Sequence, residues 1–308
     1  MSPFASGAGT VTAPLGAAAG LAAALCWTLA SLLWRRVPTS LNAAQLNLLK
    51  NLLALAMQLP VVLFTPWTAS GGAVAILALS GIVGIALGDS LFFASLRRLG
   101  TRRSLTLNAG GPGLTALVGF ALLGEVLRPD QWLGIVLISA AMVLVAWPQV
   151  PDQALVGLPS DGLGLCLGIG ALACGSAGAL LSRAALLSGE LSPLQAATLR
   201  LGAAALIMAP LLAGLPRPGQ RPLPAQRRWP SLVLATFLGT SLGVALQQAA
   251  LAGLPGGLAV ALLSTSPVMA LPLSPLEGDQ PGWIGWAAAV SALVGVSLVV
   301  GWPLRAGS

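Results

Sequence analysis

Ten apolar stretches, each near the length of a bilayer-spanning helix, constrain this chain more than any other feature of its sequence. A hydrocarbon core about 30 Å thick needs roughly 20 apolar residues wound as a helix. By that measure, spans fall near 15–34, 44–64, 72–96, 104–124 and 131–147. Five more fall near 162–182, 193–215, 230–254, 256–276 and 281–302. The first stretch is preceded by no basic segment and is long enough to cross, so it reads as a transmembrane helix rather than a cleaved leader.

Composition agrees with lipid as the solvent. Hydrophobic residues make up 56% and charged residues 7%, with a mean hydropathy of +0.89; a soluble domain carries about 25% charged residues. Of the charged side chains, only Lys50, Asp89 and Arg200 fall inside the predicted spans. Trp34, Trp67, Trp132, Trp147, Trp229, Trp283 and Trp302 stand near span ends, where amphipathic rings meet headgroups. The net charge of +7 comes from arginines in short inter-helix loops rather than on one basic face, so it does not point to nucleic acid. Histidine and tyrosine are absent. Cys26, Cys166 and Cys174 sit in apolar stretches with no metal spacing. No cofactor or metal site is expected.

The spans repeat. Gln45, Lys50 and Pro60 in the second span recur as Gln195, Arg200 and Pro210 in the seventh, shifted by 150. Cys26 and Arg35 match Cys174 and Arg183, shifted by 148. Leu87-Gly88-x-Ser90-Leu91 matches Leu238-Gly239-x-Ser241-Leu242, and Trp132 and Gly134 match Trp283 and Gly285, both shifted by 151. Two halves of five spans each follow, and because five is odd the second half must lie inverted in the membrane. The organisation expected is a tail 1–14, a first repeat 15–150, a linker 151–161, a second repeat 162–302 and a tail 303–308.

The segment Ala94-Ser95-Leu96-Arg97-Arg98-Leu99-Gly100 is followed by Gly111-Pro112-Gly113, Leu122-Leu123-Gly124-Glu125 and Gln131-Trp132-Leu133-Gly134. This succession resembles the repeat of the drug/metabolite transporter superfamily, EamA type. The second half has it as Ser264-Thr265-Ser266-Pro267-Val268, Leu276-Glu277 and Trp283-Ile284-Gly285. The resemblance implies an all-α membrane protein, with ten transmembrane helices as two inverted five-helix repeats around a central cavity, moving small metabolites. The second half departs from the pattern: Glu277 follows Pro267 by 10 residues where Glu125 follows Pro112 by 13. Pro272 and Pro275 also predict that the ninth helix breaks or ends early.

A charge inside a span is costly enough to be a functional candidate. Lys50 and Asp89 lie at matching depth, about 9–10 Å from the same face at about 1.5 Å per residue. They form an intramembrane pair or proton-linked gate, or else Lys50 snorkels while Asp89 bonds hydroxyls such as that of Ser90. Arg200 occupies the place of Lys50 in the second half, but Thr240 stands where Asp89 would. It faces a cavity and suits an anionic substrate group, or it snorkels to the headgroups. Asn108, Gly110, Gly111, Pro112 and Gly113 interrupt the fourth span, and Ser264, Thr265, Ser266 and Pro267 the ninth. Paired interruptions of this kind mark a carrier's binding site. Asn47, Asn51, Gln247 and Gln248 offer polar contacts to a ligand or between helices. Trp27, deep in the first span, walls a cavity or packs, as do Phe92 and Phe93.

On one face of the ten-span arrangement lie Arg35, Arg36, Arg97, Arg98, Arg102, Arg103, Arg217, Arg221, Arg227 and Arg228, against Arg128, Arg183 and Arg305 on the other. The positive-inside rule puts the first face in the cytoplasm and both termini outside; the family resemblance implies the opposite. The leading function is secondary transport of small organic metabolites, such as amino acids or amphipathic compounds, driven by a proton or by exchange. A channel or non-transporting scaffold is the alternative. A membrane-embedded enzyme would need clustered carboxylates, histidines or a Ser/Lys pair, and the sequence has none of these within the spans. The expected location is the plasma (inner) membrane, as a multi-pass protein in contact with lipid and a small-molecule substrate. Gly164 and Gly168 permit close helix contact and suggest a homodimer.

Overall fold

A computed structural model describes residues 11–35, 43–146, 162–214, 229–273 and 282–301. Ten helices long and apolar enough to cross a membrane account for nearly all of them. They are α1 (Ala13–Trp34), α2 (Ala44–Leu63), α3 (Gly71–Gly100), α4 (Arg103–Leu123) and α5 (Pro129–Ala146). The second half supplies α6 (Gly162–Leu186), α7 (Pro193–Leu211), α8 (Trp229–Gly253), α9 (Gly256–Leu273) and α10 (Trp283–Val300). All ten predicted spans are present. Two differ in a way that matters. The regular α-helix of α7 stops at Met208 and tightens to a 3-10 turn over Ala209–Gly214 around Pro210, whereas its repeat mate Pro60 stays within the α-helix of α2. α6 runs to Leu186 rather than to 182, which brings Arg183 inside a span. The linker 151–161, Trp147, Trp302 and Glu277 lie outside the described residues.

Helices of one half pair with helices of the other: α1 with α8, α3 with α6, α2 with α7, α4 with α9 and α5 with α10. This scheme maps onto itself when each helix is exchanged for its repeat mate, as an inverted two-fold arrangement requires. Small residues make the crossings close. A Cβ on Gly134 would stand 2.7 Å from the Gly295 carbonyl oxygen, and one on Gly178 would stand 2.7 Å from Gly84 Cα. Hydroxyls add to the α3–α6 contact: Ser80 donates to the Gly178 carbonyl at 2.6 Å, and Ser95 to that of Gly164 at 3.0 Å. Gly164 and Gly168 are buried here, against Leu99 and Ser95 of α3 and Leu107 of α4. Toward lipid the surface is apolar, and Trp229 and Trp283 project at span ends.

Several hydrogen bonds join the loop before α3 to the turn before α7, among them Thr68 Oγ1 to the Glu190 carbonyl at 3.1 Å. The Ser70 N–H donates to Glu190 Oε2 at 2.6 Å, holding that exposed carboxylate below the usual glutamate range. A depressed folded pKa gives stability that is present above the ordinary value of about 4.3 and lost as pH falls through the folded one. Thermal unfolding followed from pH 6 to pH 3 should show a smaller loss in Glu190→Gln than in the wild type; some loss remains in both, because Arg128 likewise pairs with the Asp130 carboxylate.

Candidate functional site

Local backbone irregularities shape the centre of the bundle. α4 turns at Ala109–Gly110 and resumes at Gly111 with Pro112 in its first turn, where a missing N–H leaves no bond unmade. α9 turns at Ser264–Thr265 and resumes with Pro267. The interruptions predicted in the fourth and ninth helices thus face each other across the pseudo-two-fold. A second matched pair was not foreseen: α3 is a π-helix over Ile82–Gly88 and α8 over Phe237–Leu242. The repeated Leu-Gly-x-Ser-Leu overlaps the end of the first at Leu87-Gly88 and lies within the second, and it was the available signal. π-Helical turns widen the ladder and redirect side chains, and they recur at functional sites. Here they aim Asp89 inward from the end of one, and they free the Gly239 carbonyl in the other to accept from Trp27 Nε1 at 2.8 Å.

Between these elements lie two adjoining chambers of about 280 and 290 Å³ that share Trp27, Gly175 and Gln247. Lys50, Asn51, Asp89 and Arg200 line the first. Lys50 Nζ stands 3.6 Å from Asp89 Oδ2, so the predicted pair is formed. Ser90 is not the partner of Asp89; its hydroxyl donates to the Ala86 carbonyl at 2.5 Å. Arg200 does not snorkel. It is 3% exposed, and its guanidinium extends over Gly84, where a Cβ would meet Nη2 at 3.1 Å. Its Nη1 donates to Gln247 Oε1 at 3.4 Å, while Nε has no partner. The second chamber is mostly apolar, walled by Leu105, Met142, Leu172, Val260 and Leu263, and Asn108, Ser176, Gln247, Ser264, Ser266 and Pro267 also line it.

Several predicted residues do other work. Asn47 is buried and donates to the Ile85 carbonyl at 3.5 Å, joining α2 to α3. Thr265 turns back on the Leu262 carbonyl at 2.7 Å and lines neither chamber. Pro112 is buried behind Gly111 and acts by shaping the turn. Gln248 is fully buried outside both chambers. Phe92 and Phe93 pack on each other, ring centroids 6.0 Å apart.

The largest omission of the sequence reading is a buried ion pair on the face opposite the arginine-rich loops. Arg183 Nε donates to Glu125 Oε1 at 2.9 Å. Its Nη1 also donates to the carbonyls of Leu251 and Ala252, both at 2.8 Å, at the end of α8. Glu125 Oε2 accepts the Gly256 N–H, at the start of α9, at 2.7 Å. Each charge therefore meets the favourable end of a helix dipole. Gly124, left-handed at φ 66, ends α4 and turns Glu125 inward, and a Cβ on Gly119 would crowd its carboxylate at 2.9 Å. Next to this cluster, Gly257 of α9 packs so closely on Ala116 of α4 that a Cβ there would lie 2.7 Å from Ala116 Cα. Both chambers lie on the arginine-rich side of that contact. Four helix ends are thus tied at one face of the cavity.

An all-helical chain of ten spans, built as inverted halves around a cavity, is the architecture of a membrane transport protein. The chain belongs to the EamA-like transporter family, which matches it over residues 14–147 and 162–301. A solved crystal structure shares the fold at a TM-score of 0.71 and 17% identity, covering 92% of this chain and 95% of that one. No curated protein matches the sequence.

Proposed function

We propose that this protein is a secondary carrier of small organic metabolites that works by alternating access, in the plasma (inner) membrane. The observation that carries this reading is the cavity between the inverted halves, tied shut at one face by Glu125–Arg183 and the Ala116–Gly257 contact. Family membership supports transport as the activity.

The Lys50–Asp89 pair is the coupling element in this reading. Asp89 is the one carboxylate lining either chamber among the described residues, and it has a cation beside it that can release it on protonation. Proteoliposomes given a pH gradient should accumulate substrate. Asp89→Asn should abolish the response to the gradient while leaving exchange between equal pools measurable. A gradient response of wild-type size in Asp89→Asn would remove Asp89 from the coupling.

A further inference from the structure

The two chambers differ in charge and polarity, and the difference defines a ligand. The first holds Lys50, Arg200 and Asp89, a formal charge of one net cation. Lys50 and Asp89 stand as an ion pair at 3.6 Å. Arg200 is left with one long bond to a neutral amide and an unpartnered Nε, although it is 3% exposed. Neither side-chain atom of buried Asn51, on the wall of the same chamber, has a partner. Asp89, which also attracts Arg200, is shared with Lys50, so the buried guanidinium has no carboxylate of its own, and a ligand carboxylate would meet its fork with two parallel bonds. Among the described residues the second chamber carries no charged side chain, so a ligand's ammonium would find no carboxylate there. Trp27, its indole pinned to Gly239, forms the wall between the two.

We infer that the substrates are amphiphilic monocarboxylates of net charge −1: the carboxylate pairs with Arg200 in the first chamber, and an uncharged aryl or alkyl body fills the second. Such an ion neutralises the site, whereas a zwitterionic amino acid leaves the net cation uncompensated and places its amine against mostly apolar walls. The inference rests on the carrier reading for transport but not for binding.

The test uses the full chain in lipid nanodiscs and a scintillation proximity assay with radiolabelled 3-phenylpropionate. Saturable binding is expected. Unlabelled acid should compete at least about tenfold better than 3-phenylpropionamide, phenylalanine or phenethylamine, the scale of a lost charge-assisted bond. Arg200→Gln should weaken binding about tenfold to 100-fold, and Arg200→Lys should retain part of it. Competition by the amide or amine equal to that of the acid, or no saturable binding to the wild-type protein, overturns the inference, and both results are independent of any variant's folding. Counterflow in proteoliposomes separates the two readings. Binding without counterflow of the acid sinks the carrier and leaves the site; counterflow of the amine or amino acid but not of the acid sinks the site and leaves the carrier.

Discussion

Glu125→Ala is expected to cost about 3–5 kcal/mol, because it strands the Arg183 guanidinium in a site where the pair is about nine-tenths buried. The loss should show as a lower midpoint in denaturant unfolding of the purified protein. Arg183→Ala should be equally damaging, since it leaves the carboxylate unpaired and uncovers the Leu251 and Ala252 carbonyls as well. Glu125→Gln should fall between, because its amide oxygen can still accept from the Gly256 N–H. The double change Glu125→Gln with Arg183→Met removes both charges at similar volume and should recover much of the stability. A double variant no better than the worse single one would show that the four helix ends are held by something else.

Gly257→Ala is expected to act on the conformational balance. The added methyl must enter space occupied by Ala116 of α4, and backbone cannot yield as a flexible side chain does. Overpacking of this kind costs about 1–3 kcal/mol. The cost is borne only while the α4–α9 contact is closed, so populations with that face open should rise about five-fold to 150-fold. Thr115→Cys reports it, because Thr115 is fully buried just inside the tied face. In a background with Cys26, Cys166 and Cys174 changed to serine, a water-soluble maleimide should modify this cysteine faster when Gly257→Ala is also present. Equal rates with and without Gly257→Ala would mean that the contact does not govern access.

The legible part of this protein was the part written in periodic hydrophobicity and in residues that break it. Ten spans, the inverted repeat and the turns at Ala109–Gly110 and Ser264–Thr265 all follow from apolar run length, matched spacings, glycine and proline. The Lys50–Asp89 pair was legible because both helices enter from the same face and chain order fixes depth. Pairings across the halves were not. Glu125 and Arg183 are 58 residues apart and both stand at span ends, where a charge ordinarily meets water. Their burial depends on the α4, α6, α8 and α9 ends meeting, which one-dimensional spacing does not encode. The direction of Arg200 was open for a similar reason: whether a shallow arginine snorkels or turns inward depends on the neighbour, and here the neighbour is a glycine, Gly84. The π-helical segments left a trace, Leu-Gly-x-Ser-Leu twice over, but a repeated motif does not announce a change of helical pitch.

The cross-half pairing of helices has a consequence for how the protein is made. α1 leaves the ribosome first, yet Trp27 finds its acceptor on Gly239, 212 residues further along the chain. Until α8 is inserted, the small-residue face of α1 can meet only lipid or a stranger. α3 waits more briefly, for α6. The first half is therefore threaded into the bilayer as an unfinished surface, and its completion is timed by translation of the second. A nascent chain arrested after α5 should expose that surface, and quality-control proteases of the membrane should recognise it.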